Sequence, residues 1–132
     1  MGVIKMVQEW LKKNSEKFYF VFRVLFGLLF LLHGLQKVSG ILAGKMQLFS
    51  LMGLAGVIEL VGGALVLVGL FTTYVALVSA VEMLVAYFMA HASNGWNPLV
   101  NKGEAAVLFF GAFLVLAAYG SGKWALDSFW KK

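Results

Sequence analysis

Four long apolar runs, at about 18–36, 48–70, 73–91 and 104–119, constrain this chain more than any other feature, because only short polar segments separate them. A helix crosses a bilayer with about 20 mostly apolar residues. Hydrophobic residues make up 61% of the 132, with a mean hydropathy of +0.88, against an apolar share of roughly 45–50% in soluble domains. That is enough for about four spans and little else. A transmembrane β-barrel, with its weaker alternating pattern, does not fit runs of this length. The fold expected is all-α: a transmembrane four-helix bundle with an amino-terminal amphipathic interfacial helix.

Residues 1–17 form the interfacial segment and 18–132 the membrane domain. Val3, Val7, Trp10 and Leu11 fall at helical spacing, with Lys5, Gln8, Glu9, Lys12 and Lys13 mostly on the other side, as in a helix lying in the membrane surface. The lysines before the first apolar run resemble a signal peptide, but no small-residue cleavage site follows, so the amino terminus is expected to be retained.

The connection at 69–73 is short and uncharged, which folds the second and third runs into an antiparallel hairpin. The other two connections, 37–47 and 92–103, lie together on the opposite side, and the second holds the single proline, Pro98. Lys5, Lys12, Lys13, Lys17, Arg23, Lys123, Lys131 and Lys132 stand near the two termini, against Lys37, Lys45 and Lys102 on the other side. This bias places both termini in the cytoplasm of a multi-pass cell-membrane protein. Trp96, Trp124 and Trp130 are then interface anchors. The net charge of +5 thus reports orientation, and no nucleic-acid partner is read from it.

Cysteine is absent, which removes thiolate nucleophiles, disulfide exchange, Cys-held zinc and protein-held iron–sulfur clusters from this chain's chemistry. No nucleotide loop, metal-spaced cluster or nucleophile elbow occurs, so no metal site is expected. Redox chemistry here must come from a cofactor or a partner.

Charged groups at membrane depth are costly and therefore candidates for function. Arg23, Glu59 and Glu82 qualify, the two carboxyls near mid-bilayer on adjacent antiparallel spans. Arg23, Gly27, Phe30, Gly34 and Lys37 share one helical stripe. Gly56, Gly62 and Gly63 flank Glu59, as in small-residue helix packing, and Ser79 and Ala86 accompany Glu82. Three helices are expected to direct one charge each to a common interior. One reading is structural, with Arg23 satisfying one carboxylate and burial keeping the other protonated; the other makes Glu59 and Glu82 a proton relay to a bound ligand.

A second polar layer contains His33, Gln36 and Lys37, then His91 and Asn94, then Asn101, Lys102 and Glu104. Singly, each fits an end-of-helix residue, with Glu104 favourable at a helix amino terminus; together they suggest a ligand-facing vestibule. Two histidines at similar depth also suit haem, but the helical wheel turns His91 away from Glu82 and argues against it.

The segments RVLFGLLFLLHGLQK (23–37), GVIELVGGALVLVGLFT (56–72), EMLVAYFMAH (82–91), GEAAVL (103–108) and GSGKWALD (120–127), in this order, resemble the DoxX family of small four-span membrane proteins. The family-like positions are Arg23, His33, Gly34, Lys37, Glu59, Gly63, His91, Asn94, Glu104 and Asp127. Ser121 and Ala125 depart from the proline and serine of the family's GPG-x-x-SLD form. The resemblance implies a four-helix bundle that serves as a quinol oxidase or oxidoreductase component, with relatives tied to thiosulfate:quinone oxidoreductase and to oxidative stress.

Quinone reduction takes up two protons with two electrons, so a site in lipid needs hydrogen-bond donors and a titratable group. Arg23, His33, Gln36, Lys37 and His91 can donate; Glu59, Glu82 and Glu104 can relay protons, with Asn94 in the same layer. The expected function is a quinone-binding membrane redox component working with a peripheral oxidoreductase, and small-residue surface leaves room for a homo-oligomer. The alternatives are a proton-coupled transporter or channel and a non-catalytic scaffold for a peripheral enzyme.

Overall fold

The structure is a computed structural model that describes residues 1–130; Lys131 and Lys132, two of the eight terminal cations, lie outside the described residues. Among these residues there is no strand. Helices α1 (Gly2–Lys13), α2 (Ser15–Leu42), α3 (Leu51–Val68), α4 (Thr72–Ala86), α5 (Glu104–Tyr119) and the short α6 (Asp127–Trp130) follow in order, with a π-helical turn at Tyr87–His91 and a 3-10 turn at Ala92–Asn94 after α4. Three segments, Ser15–Leu42, Leu51–Val68 and Thr72–Asn94, are long and apolar enough to cross a membrane, and Glu104–Tyr119 is a shorter apolar helix. The outward faces carry exposed Leu25, Leu28, Leu32, Val57, Val61 and Leu108, a surface suited to lipid rather than water. This is a membrane protein with a helical bundle.

The elements differ from the sequence expectation mainly at their ends. The break between α1 and the first span falls at Asn14, and α2 runs to Leu42, well beyond residue 36. Nothing in 37–42 stops a helix: there is no proline, and Gly40 is tolerated at a modest cost. Lys37 is therefore helical and not part of a loop. The α3–α4 turn is tight as expected, with Gly69 capping α3 in the left-handed conformation at φ 72°, where only glycine avoids a steric penalty.

Close approach of α2 and α3 depends on missing side chains. A Cβ at Gly27 would stand 2.6 Å from the Leu67 amide nitrogen, one at Gly34 would overlap the Leu60 backbone, and one at Gly63 the Leu31 backbone. The two backbones touch, and their polar groups stay in their own helices. By contrast, α2 meets α5 through aromatic rings. Phe30 lies 4.6 Å from Phe113 and 5.4 Å from Phe109 between ring centroids, and Phe26 lies 5.8 Å from Phe109. These rings, with Val66, Ala76, Ala80, Met83 and Leu116, form the core.

The start of α2 and the segment around 120–127 lie at one end of the bundle. Lys123 on the carboxy-terminal segment pairs with Glu16 at the start of α2 at 2.8 Å, and the Leu126 and Asp127 amides donate to the carbonyls of Val68 and Gly69. The 37–47 and 92–103 connections occupy the other end.

Candidate functional site

Charge in the bundle interior centres on Lys37, Glu59 and Glu82. The Lys37 ammonium donates to both Glu59 oxygens, at 2.5 and 2.6 Å. Gly56 makes this possible, because a Cβ there would stand 2.8 Å from that of Lys37; its absence lets the lysine stem cross α3. Glu59 is 2% exposed, while the Lys37 side chain keeps 23% of its surface. Glu59 lies about 12 Å along α3 from Leu51 and about 13 Å from Val68, midway in the helix. Across the α3–α4 contact, the Glu82 carboxyl lies beside Glu59, within hydrogen-bonding range of it, and near Lys37, while no N–H or hydroxyl donor reaches either of its buried oxygens. Two carboxyls and one ammonium make a group that a single proton renders neutral.

Arg23 corrects one expectation. It is 1% exposed, so its stripe does face inward, but it meets neither Glu59 nor Glu82. Its guanidinium donates to main-chain carbonyls: Nη1 to Ser121 and, at 3.2 Å, Lys123, and Nη2 to Trp124 at 3.0 Å. The ring of Phe20 lies 5.2 Å from Cζ, a favourable cation–π placement. The reason is distance along one face, since residue 37 stands about 21 Å further along the α2 axis than residue 23. Lys37, not Arg23, supplies the cation facing the carboxyls.

Arg23 and Asp127 together clasp the carboxy-terminal segment. Asp127 accepts the backbone N–H of Phe71 at 2.9 Å and of Thr72 at 3.3 Å, capping α4, while Ala125 packs on Gly69. Arg23 reads the carbonyl of residue 121 and not its side chain, so Ser121 serves where the family form has proline. Tyr19 donates to the Gly120 carbonyl in the same clasp.

The second polar layer is dispersed. His33 is exposed on α2, one turn before Lys37 on the same face, and packs edge-on against Phe109 at 5.5 Å. Gln36, Asn94, Lys102 and Glu104 are exposed. His91 lies in the π-helical turn with Nδ1 3.2 Å from the Asn101 carbonyl oxygen. Asn101 is buried; it donates to the Gly95 carbonyl at 2.7 Å and accepts from the Gly103 amide at 2.8 Å, which fixes the 95–103 loop. The structure thus joins Lys37, Glu59 and Glu82, with His33 nearby, and leaves Arg23, Asn94 and Glu104 apart from them. Sequence reasoning placed Lys37 on the correct stripe but missed its ion pair with Glu59. The signal was Gly56, one turn before Glu59, with room for a long side chain.

Two clefts open at the terminal end, away from this cluster. One, of about 470 Å³, lies between Tyr19, Tyr119 and Lys123; the other, of about 340 Å³, lies over Thr72, Ser121 and Asp127. Among the described residues no group of three His, Asp or Glu is placed to hold a metal ion.

The DoxX sequence profile matches residues 18–92, which contain nearly all of α2, the whole of α3 and α4, and all three charged residues of the cluster. The chain belongs to the DoxX family. It is 37% identical to an uncharacterized protein of Haemophilus influenzae over 90% of this chain and 98% of the relative. CatD of Bacillus subtilis, which its name proposes as an oxidoreductase, is 32% identical over 90% of this chain and 91% of its own. The inner membrane protein YqjF of Escherichia coli is 31% identical over 89% and 95%. No solved structure matches. In this DoxX chain, the GVIELVGG segment carries Glu59 together with the glycines that bring α2 against it.

Proposed function

We propose that this chain is the membrane-embedded component of an oxidoreductase system, binding a quinone or quinol beside Lys37 and exchanging protons through Glu59 and Glu82. The observation that carries this reading is a mid-span carboxyl, Glu82, that no N–H or hydroxyl donor satisfies and that stands against a second carboxyl, Glu59, whose charge Lys37 already balances. A group of that kind is expensive in lipid unless it has work to do. The oxidoreductase named in CatD supports the same direction.

The residues fit such a ligand. Lys37 and exposed His33 lie along the α2 flank as donors for carbonyl oxygens, and Gln36 is exposed in the same turn. A headgroup arriving from the bilayer meets His33 on the exposed face of α2 and, one turn further along, the partly exposed Lys37. Quinone supplies the two-electron chemistry; the chain binds it, orients it and moves protons. With no cysteine, the electrons come from a peripheral oxidoreductase partner. Both termini face the cytoplasm in this reading, which the lysines around them support.

Extraction in mild detergent, followed by mass spectrometry and a visible spectrum, tests the proposal. Copurifying quinone, or saturable binding of added quinone that weakens in Lys37→Met, is expected. No quinone in the preparation and no binding on addition would overturn it. Proton-driven solute uptake in sealed liposomes without quinone would instead favour a proton-coupled transporter, which the mid-span Glu82 also suits.

A further inference from the structure

Buried polar atoms without partners are few in this bundle, and they are not scattered. Among the described residues they are Arg23 Nε, Thr72 Oγ1, Ser79 Oγ and the two Glu82 oxygens. All but the first belong to the buried face of α4. Thr72 and Ser79 are each 0% exposed, and neither hydroxyl bonds to a carbonyl one turn earlier, the usual way for such residues to satisfy themselves inside an apolar helix. Ser79 lies one turn from Glu82, about 4.5 Å along the axis, and Thr72 two turns beyond, about 10 Å. Ala76, between them, is small and fully buried. Opposite Ser79 stands Gly62, where even a Cβ would come within 3.3 Å of the hydroxyl. Thr72 is in the floor of the 340 Å³ cleft at the terminal end, beside Thr73, Ser121 and Asp127.

We propose that Thr72 and Ser79 form a proton path joining that cleft to the Glu82 carboxyl, with water as the mobile carrier between them. A hydroxyl both donates and accepts, so it passes a proton by taking one and releasing another with no net change. Each hydroxyl returns to its starting state once the chain of hydrogen bonds reorients. The path enters at the end of the bundle that holds the cleft over Thr72. The stretch around Ala76, Val66 and Leu116 is close-packed and apolar, so water crosses it only transiently and this step limits the rate. Thr72 and Ser79 act through Glu82 and are positioning residues.

This path takes Glu82 as the exchanging group from the proposed function but does not depend on quinone, so its test uses none. The full chain in liposomes is transferred to D₂O and the protonated-carboxyl band is followed by infrared spectroscopy, with Glu82→Gln identifying the Glu82 component. Exchange is expected to slow about tenfold in Ser79→Ala, the rate equivalent of one lost hydrogen bond. Thr72→Val is expected to slow it as well, while Ser79→Thr keeps the hydroxyl and stays near the wild-type rate. Exposed Ser39→Ala serves as the control. Thermal unfolding of each variant checks that the bundle is intact. Unchanged exchange in both folded Ser79→Ala and Thr72→Val, no band lost in Glu82→Gln, or slowing only in Lys37→Met would overturn the proposal. These outcomes are separate from quinone binding, which can fail while the path stands.

Discussion

Lys37 and Glu59 are paired, but the two are not equally replaceable. Glu59 is enclosed, whereas Lys37 retains partial exposure and a flexible stem that can carry its ammonium toward the interface. Removing one partner of a buried pair costs about 3–5 kcal/mol when the other stays trapped. Lys37→Met is therefore expected to lower thermal stability in detergent more than Glu59→Met, and the double variant to recover most of the loss. The hydrogen-bonding neighbour of Glu82 is Glu59, to which a glutamine amide can donate in its place, so Glu82→Gln is expected to fold normally. It should reduce partner-dependent quinone reduction by about 10²–10⁴-fold, the usual contribution of a positioned proton donor, as measured in membranes supplied with the partner. Sequence position alone showed both carboxyls at mid-span. The identity of their cation was hidden because the first apolar run ends near residue 36 and leaves Lys37 to the connection, so Arg23 stands as the one charge within the span until α2 is seen to run on to Leu42.

Helix packing rests on where glycines face. At Gly34 and Gly63 an added Cβ meets the backbone of the opposite helix, while at Gly111 it meets nothing within 4 Å. Gly34→Ala and Gly63→Ala are expected to destabilise by about 1–3 kcal/mol through overpacking, and Gly111→Ala to be neutral or to gain up to about 1 kcal/mol from helix propensity. Unfolding followed by circular dichroism in one detergent compares the three. The carboxy-terminal clasp offers a second check at this scale. Arg23→Gln loses charged hydrogen bonds to three carbonyls, and the expected result is protease cleavage within 120–127 at concentrations that leave the wild type intact. Helix existence was legible from the apolar runs, and the start and end of α5 coincide with the expected 104–119. The extension of α2 was not, because the polar residues of 37–42 read as a loop when they are seen without α3 beside them.

At the scale of the molecule, α2 and α3 close on each other through glycine, and aromatic rings hold α2 to α5. The α5 helix has 16 residues, about 24 Å long against a hydrocarbon core of about 30 Å. Local thinning of the bilayer or burial of the flanking loop compensates such a mismatch at modest cost. The proposed orientation predicts that reporter fusions at either terminus are active on the cytoplasmic side and that a tag inserted next to exposed Trp96 is labelled from outside. Termini on opposite sides would contradict both the orientation and the shared terminal end of the bundle.

Local hydropathy and helical period sufficed for the class of fold, the number of apolar helices, the tight α3–α4 turn and the inward stripe of α2. The sequence also marked Glu59 and Glu82 as exceptional, since a charge in an apolar run is visible without any structure. Tertiary structure alone decided which cation meets which carboxyl, that Arg23 holds the carboxy-terminal clasp, and that Thr72, Ser79 and Glu82 remain without partners along one buried face. Partner choice depends on distances between helices, and those are set by the glycines and aromatic rings at which the helices meet, which local hydropathy does not encode.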